Sequence, residues 1–187
     1  MLPDPLPADM DEFWVFGYGS LMWNPGFPFE ERRIARVHGY HRSLCIFSWV
    51  HRGTEEAPGL VLGLDRGGSC KGAAFSIRRE DRKDVLDYLR ARELVTNVYL
   101  ERVVPLTFQD DGRRINAVAY VVDRAHRQYA AGVGIDEAAR IVAMAEGQSG
   151  RNVDYVLNTV SHLRELGIRD HRVEAVAARL KAVQTAG

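Results

Sequence analysis

Phe13-Trp14-Val15-Phe16-Gly17-Tyr18-Gly19-Ser20-Leu21-Met22-Trp23 reads as a buried strand that runs into a tight turn. An unbroken run of aromatic and β-branched side chains favours a strand covered on both faces. Gly17 and Gly19 bracket Tyr18, so the backbone can bend sharply there and a ligand can lie against it. Successive N–H groups in such a turn can point the same way and hold a negative oxygen. Nucleotide signatures are missing. Position 22 is methionine where a dinucleotide fingerprint has its third glycine, and no Gly-Lys-Ser/Thr follows. On shape alone the stretch is either an anion-friendly turn or an ordinary strand end.

Working outward, residues 1–12 hold Pro3, Pro5 and Pro7 among acidic side chains and read as a loose arm, not a signal peptide. Residues 23–28 form a loop broken by proline and glycine. Residues 35–50 read as two strand pieces around Gly39, and 51–59 as a polar loop. Residues 60–64 and 70–77 read as a hairpin whose turn, 65–69, contains Gly67 and Gly68. A helix is expected from near Glu80, with Val85, Leu86 and Leu89 inward, followed by strands at 99–108 and 115–122 around Asp110-Asp111-Gly112. The last third changes period. Helices are expected over 136–146 and 152–166, closed by Gly147 and Gly167, and a third is capped by Asp170 with Val173, Val176, Ala177, Leu180 and Val183 on one face. Strands first and helices last give an α+β chain, read as a single domain over 1–187.

Lysine plus arginine and aspartate plus glutamate both number 25, so the formal charge is zero, which argues against a nucleic-acid or anionic-membrane partner. No run approaches the roughly 20 apolar residues of a membrane span. Cys45 and Cys70, both in strand-like runs, fit two reduced buried thiols and a cytoplasmic protein, with one disulfide the open alternative.

The most informative conflict lies on the expected helix. Leu86, Leu89 and Glu93 are spaced three and four apart, so Glu93 continues the apolar stripe. A carboxylate there is paired, protonated or functional, because burying it bare costs several kcal/mol. Desolvation would raise its pKa toward neutrality, as suits a general acid or base. The structural alternative is a helix-end glutamate that reaches solvent or pairs with Arg92 or Arg52. Other candidates carry less. The six histidines show no zinc-ligand spacing, Ser20 lacks the glycine at 22 of a nucleophile elbow, and both cysteines sit in patterns that bury them.

Several segments together resemble a known family. Phe16-Gly17-Tyr18-Gly19-Ser20-Leu21 followed by Trp23 is similar to the substrate loop of γ-glutamylcyclotransferases. The likeness extends to His51-Arg52-Gly53-Thr54 with Pro58-Gly59, to Tyr88-Leu89 with Arg92-Glu93, and to Gly147 with Ser149-Gly150, Asn152 and Tyr155. This four-part order resembles the ChaC-like, glutathione-specific branch. Two positions depart from the family pattern, Val98 before Tyr99 and Lys71 after Cys70. The resemblance implies a γ-glutamylcyclotransferase-like mixed β-barrel flanked by helices, with a helical C-terminal third and neither a metal nor an organic cofactor. It implies Glu93 as the catalytic acid/base. Phe16, Gly17, Tyr18, Gly19, Ser20 and Leu21 would hold the γ-glutamyl group, with Arg52 and Tyr155 offered for remaining polar contacts. The implied reaction turns glutathione into 5-oxoproline and L-cysteinylglycine by attack of the substrate's own α-amine. That fits a chain with no nucleophile triad. Alternatives are a cyclotransferase acting on other γ-glutamyl peptides or γ-glutamylamines, and a non-catalytic module that binds a small carboxylate.

Overall fold

The computed structural model describes residues 12–94 and 96–185, with side chains as far as residue 182. The arm expected over 1–12 therefore lies outside the described residues except for Glu12, as does the Val183 side chain. The described residues fall into two compact units, one within the bounds 1–41 and 64–123 and one within 42–63 and 124–187.

Five strands close a barrel: β1 (Phe13–Gly17), β2 (Glu31–Ser48), β3 (Gly59–Ile77), β4 (Tyr99–Phe108) and β5 (Arg114–Val122), hydrogen-bonded in the order β1-β3-β2-β4-β5. β1 pairs antiparallel with β3, from Phe13 opposite Ile77 to Gly17 opposite Ala73, and parallel with β5 at Val15 opposite Val118. With neighbours on both edges all five β1 residues are buried, which is what the unbroken apolar run predicts. The ring of Trp14 stands edge-on to Phe108, centroids 5.0 Å apart. Gly72 is required by close approach: a Cβ there would stand 2.3 Å from the Gly17 carbonyl oxygen.

The hairpin expected at 65–69 is not formed. Residues 59–77 are one strand, and 31–48 likewise run unbroken through Gly39. Gly39, Gly67 and Gly68 do adopt left-handed φ of 84°, 100° and 70°. A left-handed glycine can twist or bulge a strand as readily as reverse it. Around these glycines β3 lies along β2, with His41 Nδ1 2.9 Å from the Gly67 carbonyl oxygen, so the chain runs on instead of folding back on itself. After β3 comes α1 (Arg82–Glu93), starting two residues later than expected, with Val85, Leu86 and Leu89 buried. The turn at 110–112 closes β4 onto β5, the Phe108 N–H donating to the Arg113 carbonyl.

The second unit carries α2 (Ile135–Met144), α3 (Asn152–Glu165) and α4 (His171–Thr185). α2 stops before Glu146, because Glu146–Gly147 (β6) leaves the helix to pair with Gly150–Arg151 (β7). Gly167, at φ 67°, closes α3 as expected, its N–H bonding the Arg164 carbonyl and that of Ile168 the Leu163 carbonyl. Asp170 caps α4 by accepting from the Val173 N–H at 3.2 Å and also pairs with buried Arg42 at 2.8 Å. Val173, Val176, Ala177 and Leu180 are buried on the predicted face.

Candidate active site

In the first unit, the strand end and the helix end meet through one side chain. Phe16, Gly17, Tyr18 and Leu21 are buried, Gly19 is half-buried and Ser20 is exposed. Ser20–Met22 form a single 3-10 turn, closed by the Met22 N–H on the Gly19 carbonyl and the Trp23 N–H on that of Ser20. Among the described residues no backbone carbonyl takes up the N–H groups of Gly19, Ser20 and Leu21, as the start of a helical turn dictates.

Glu93 is the last residue of α1, and its side chain is only 18% exposed. Burial pushes its carboxyl above the ordinary carboxylate range, and the adjacent Arg92 charge opposes that push. Arg92 Nε stands 3.2 Å from Glu93 Oε1, while Nη2 donates to Ser20 Oγ at 2.9 Å. The acid on the apolar stripe and the hydroxyl of the glycine-bracketed turn therefore share one guanidinium. Nη1 donates to the carbonyls of Asn24 and Pro25 at 2.9 and 3.3 Å and to the Tyr88 hydroxyl at 3.1 Å. Sequence reasoning treated Arg92 as a counter-ion and missed its hold on the loop. The available signal was the spacing of four between Tyr88 and Arg92, which puts both on one helix face.

The same helix turn is fixed on another side. Arg90 grips Glu101 with two bonds, Nε to Oε2 at 2.9 Å and Nη2 to Oε1 at 2.7 Å, and the Tyr120 hydroxyl donates to Glu101 Oε2 at 2.9 Å. Glu101 and Tyr120 are register partners on β4 and β5, so their side chains share a sheet face. Burial and the Glu101 carboxylate push the Tyr120 phenol far up, so it stays a donor. Removing the carboxylate strands a guanidinium and a hydroxyl together. Glu101→Ala is expected to lose about 3 kcal/mol of unfolding free energy, against about 1 kcal/mol for Tyr120→Phe; urea denaturation of the two variants checks the order.

In the second unit the remaining motif residues gather around residues 50–60. The Gln148 and Ser149 N–H groups donate to the Val50 and His51 carbonyls. A Cβ on Gly53 would stand 2.2 Å from the Gly59 nitrogen, and one on Gly147 2.6 Å from the Gly53 nitrogen. Backbone thus packs directly on backbone, and only glycine fits. Arg52 donates to the Ser149 carbonyl and lies over the Tyr155 ring, whose hydroxyl accepts from the Leu62 N–H. Asn152 is fully buried, its side-chain oxygen accepting from the Leu60 N–H at 2.7 Å and its nitrogen donating to the Leu60 carbonyl at 2.8 Å. Arg52 and Tyr155 are therefore engaged in holding this unit together.

Among the described residues no group of three or more histidine, cysteine or acidic side chains is arranged to hold a metal ion, and no described helix is long and apolar enough to cross a membrane.

Comparison with known proteins shows the family and the fold. An Escherichia coli (strain K12) protein named glutathione-specific γ-glutamylcyclotransferase is 34% identical over 173 residues, covering 92% of this chain and 74% of its own. An Arabidopsis thaliana protein named γ-glutamylcyclotransferase 2-3 is 33% identical over 180 residues, covering 91% and 89%. A crystal structure of a yeast γ-glutamyl cyclotransferase specific to glutathione superposes with a TM-score of 0.82 at 22% identity, over 92% of this chain and 99% of that one, which shows a shared fold. Residues 13–184 match the model of the ChaC-like protein family, and the chain belongs to that family.

Proposed function

We propose that this chain cleaves glutathione into 5-oxoproline and L-cysteinylglycine, with Glu93 as general base and then general acid. The observation that carries the reading is the Glu93 carboxylate, desolvated on an apolar stripe and joined through Arg92 to Ser20 of the 16–21 turn. The name of the Escherichia coli relative supports glutathione as substrate.

The substrate's α-amine nitrogen forms a bond to the carbonyl carbon of the γ-glutamyl amide, closing a five-membered lactam, and the bond from that carbonyl carbon to the cysteine nitrogen breaks. No water is consumed and no enzyme nucleophile is needed. Holding the γ-glutamyl chain in its cyclising shape supplies much of the rate, since well-oriented intramolecular attack is worth about 7–11 kcal/mol. Glu93 takes the proton from the α-ammonium and returns one to the departing nitrogen, for a contribution of roughly 10²–10⁴-fold. The N–H groups of Gly19, Ser20 and Leu21, which no backbone carbonyl takes up among the described residues, suit a developing oxyanion or the substrate α-carboxylate. Phe16, Gly17 and Tyr18 complete the cradle for the γ-glutamyl group. Cytoplasmic residence belongs to the same reading and is supported by Cys45 and Cys70, which are buried and form no disulfide among the described residues.

Product analysis tests the proposal. Purified protein mixed with glutathione is expected to release 5-oxoproline and cysteinylglycine in equal amounts; release of neither overturns it. The Arabidopsis relative's name specifies no peptide, so γ-glutamyl-alanine is assayed alongside. Equal turnover of that dipeptide would replace glutathione specificity by a broader γ-glutamyl preference.

A further inference from the structure

We propose that Arg92 is a positioning residue of this site, its guanidinium holding the 20–25 segment in register with Glu93. The inference rests on the reading of Glu93 and the 16–21 turn given above.

An arginine offers five N–H donors in one rigid plane, and here that plane spans separate pieces of chain. Nε faces Glu93 at the helix end, Nη2 reaches Ser20 in the 3-10 turn, and Nη1 reaches the Asn24 and Pro25 carbonyls of the following loop. The Tyr88 hydroxyl, one helical turn earlier, also accepts from Nη1 and so steadies the fork. Tyr88 in turn sits against Gly26, which adopts φ +75° and where a Cβ would stand 2.0 Å from the tyrosine oxygen. The proline–glycine loop is thus shaped to admit Tyr88 beneath the guanidinium. A lysine at 92 would keep the charge beside Glu93 but could not reach Ser20, Asn24 and Pro25 together.

Charge and geometry can be separated here. The groups that act electrostatically with Glu93 are Arg92 on α1 and Tyr120 on β5; Tyr88 bonds to Arg92, and Arg90 on α1 and Glu101 on β4 form their own pair. Arg90 and Tyr120 both engage Glu101, whereas Arg92 is paired with Glu93. The positive charge at 92 lowers the Glu93 pKa against the push of burial. A general base works deprotonated, so kcat/KM rises with pH through the pKa of Glu93 in the free enzyme. Losing the charge raises that pKa and moves the acid limb to higher pH.

The test compares parent, Arg92→Lys and Arg92→Gln for 5-oxoproline release from glutathione across pH, with urea midpoints as a check on folding. Both variants are expected to lose about tenfold or more in kcat/KM, as follows from losing charge-assisted hydrogen bonds. The acid limb is expected to stay with the parent's in the lysine variant and to move to higher pH in the glutamine variant. A residue that only stabilised the fold would leave both limbs where they are. Parental kcat/KM in the lysine variant, or coincident acid limbs in the two variants, overturns the inference. Should Arg92→Gln fail to fold, Arg92→Lys and Ser20→Ala decide, and parental kcat/KM in both overturns it. A parent that releases no 5-oxoproline instead overturns the functional reading itself.

Discussion

Glu93→Gln is expected to cut glutathione turnover by at least about a hundredfold while leaving the protein folded. The amide keeps the volume of the carboxylate and its place beside Arg92, but it can neither take a proton from the α-ammonium nor return one to the leaving nitrogen. The sign of the stability change follows from the same burial. The folded-state pKa of Glu93 is raised, so its contribution to stability is greatest below the unfolded pKa and falls as pH rises through the folded value. Above that value the native state holds an ionised, poorly solvated carboxylate. Replacing it by a neutral amide removes this penalty, so the variant is expected to melt no lower than the parent at neutral and mildly alkaline pH. Its residual activity should also lose the acid limb that Glu93 imposes on the parent. Thermal melting and a pH series of initial rates check both halves. Near-parental release of 5-oxoproline by a folded Glu93→Gln protein removes Glu93 from the mechanism.

Asn152→Ala is expected to cost about 3–5 kcal/mol of stability, enough to threaten the fold. The Asn152 side chain serves the buried Leu60 peptide group as a neighbouring strand would, accepting from its N–H and donating to its carbonyl. Alanine leaves both backbone groups unpaired, each at roughly 1–3 kcal/mol, and the full burial of position 152 keeps water from replacing the amide. Asn152→Asp is expected to be no milder. It keeps the acceptor, loses the donor and turns a carboxylate toward the Leu60 carbonyl oxygen. Larger side chains have no room, since even a Cβ on Gly59 would stand 2.6 Å from Asn152 Oδ1. Urea denaturation gives the loss directly. A change below about 1 kcal/mol would mean that Leu60 has other partners for its peptide group.

Much of the barrel was legible because its signals are local. The run 13–16 is apolar at every position, which only a strand covered on both faces tolerates, and β1 is buried throughout. Gly167 and Asp170 carry their own instructions as helix stop and helix cap. The hairpin at 65–69 was misread because two adjacent glycines permit a left-handed backbone without stating its purpose. Whether the chain reverses or runs on depends on its pairing with β2, where His41 meets Gly67 across 26 residues of sequence, a contact that no local pattern states.

By itself the sequence determined that position 93 was out of place. A carboxylate in the helical register of Leu86 and Leu89 meets the core whatever the rest of the chain does, because a period of 3.6 residues follows from backbone geometry alone. It likewise marked where β1 ends, at the glycine pair Gly17 and Gly19 that lets the backbone turn. Only the tertiary structure decided what would face that carboxylate. The grip of Arg92 on Ser20, Asn24 and Pro25 spans about seventy residues of chain. No local pattern encodes a contact of that reach, because it exists only once β1 is seated between β3 and β5 and α1 has packed its apolar stripe.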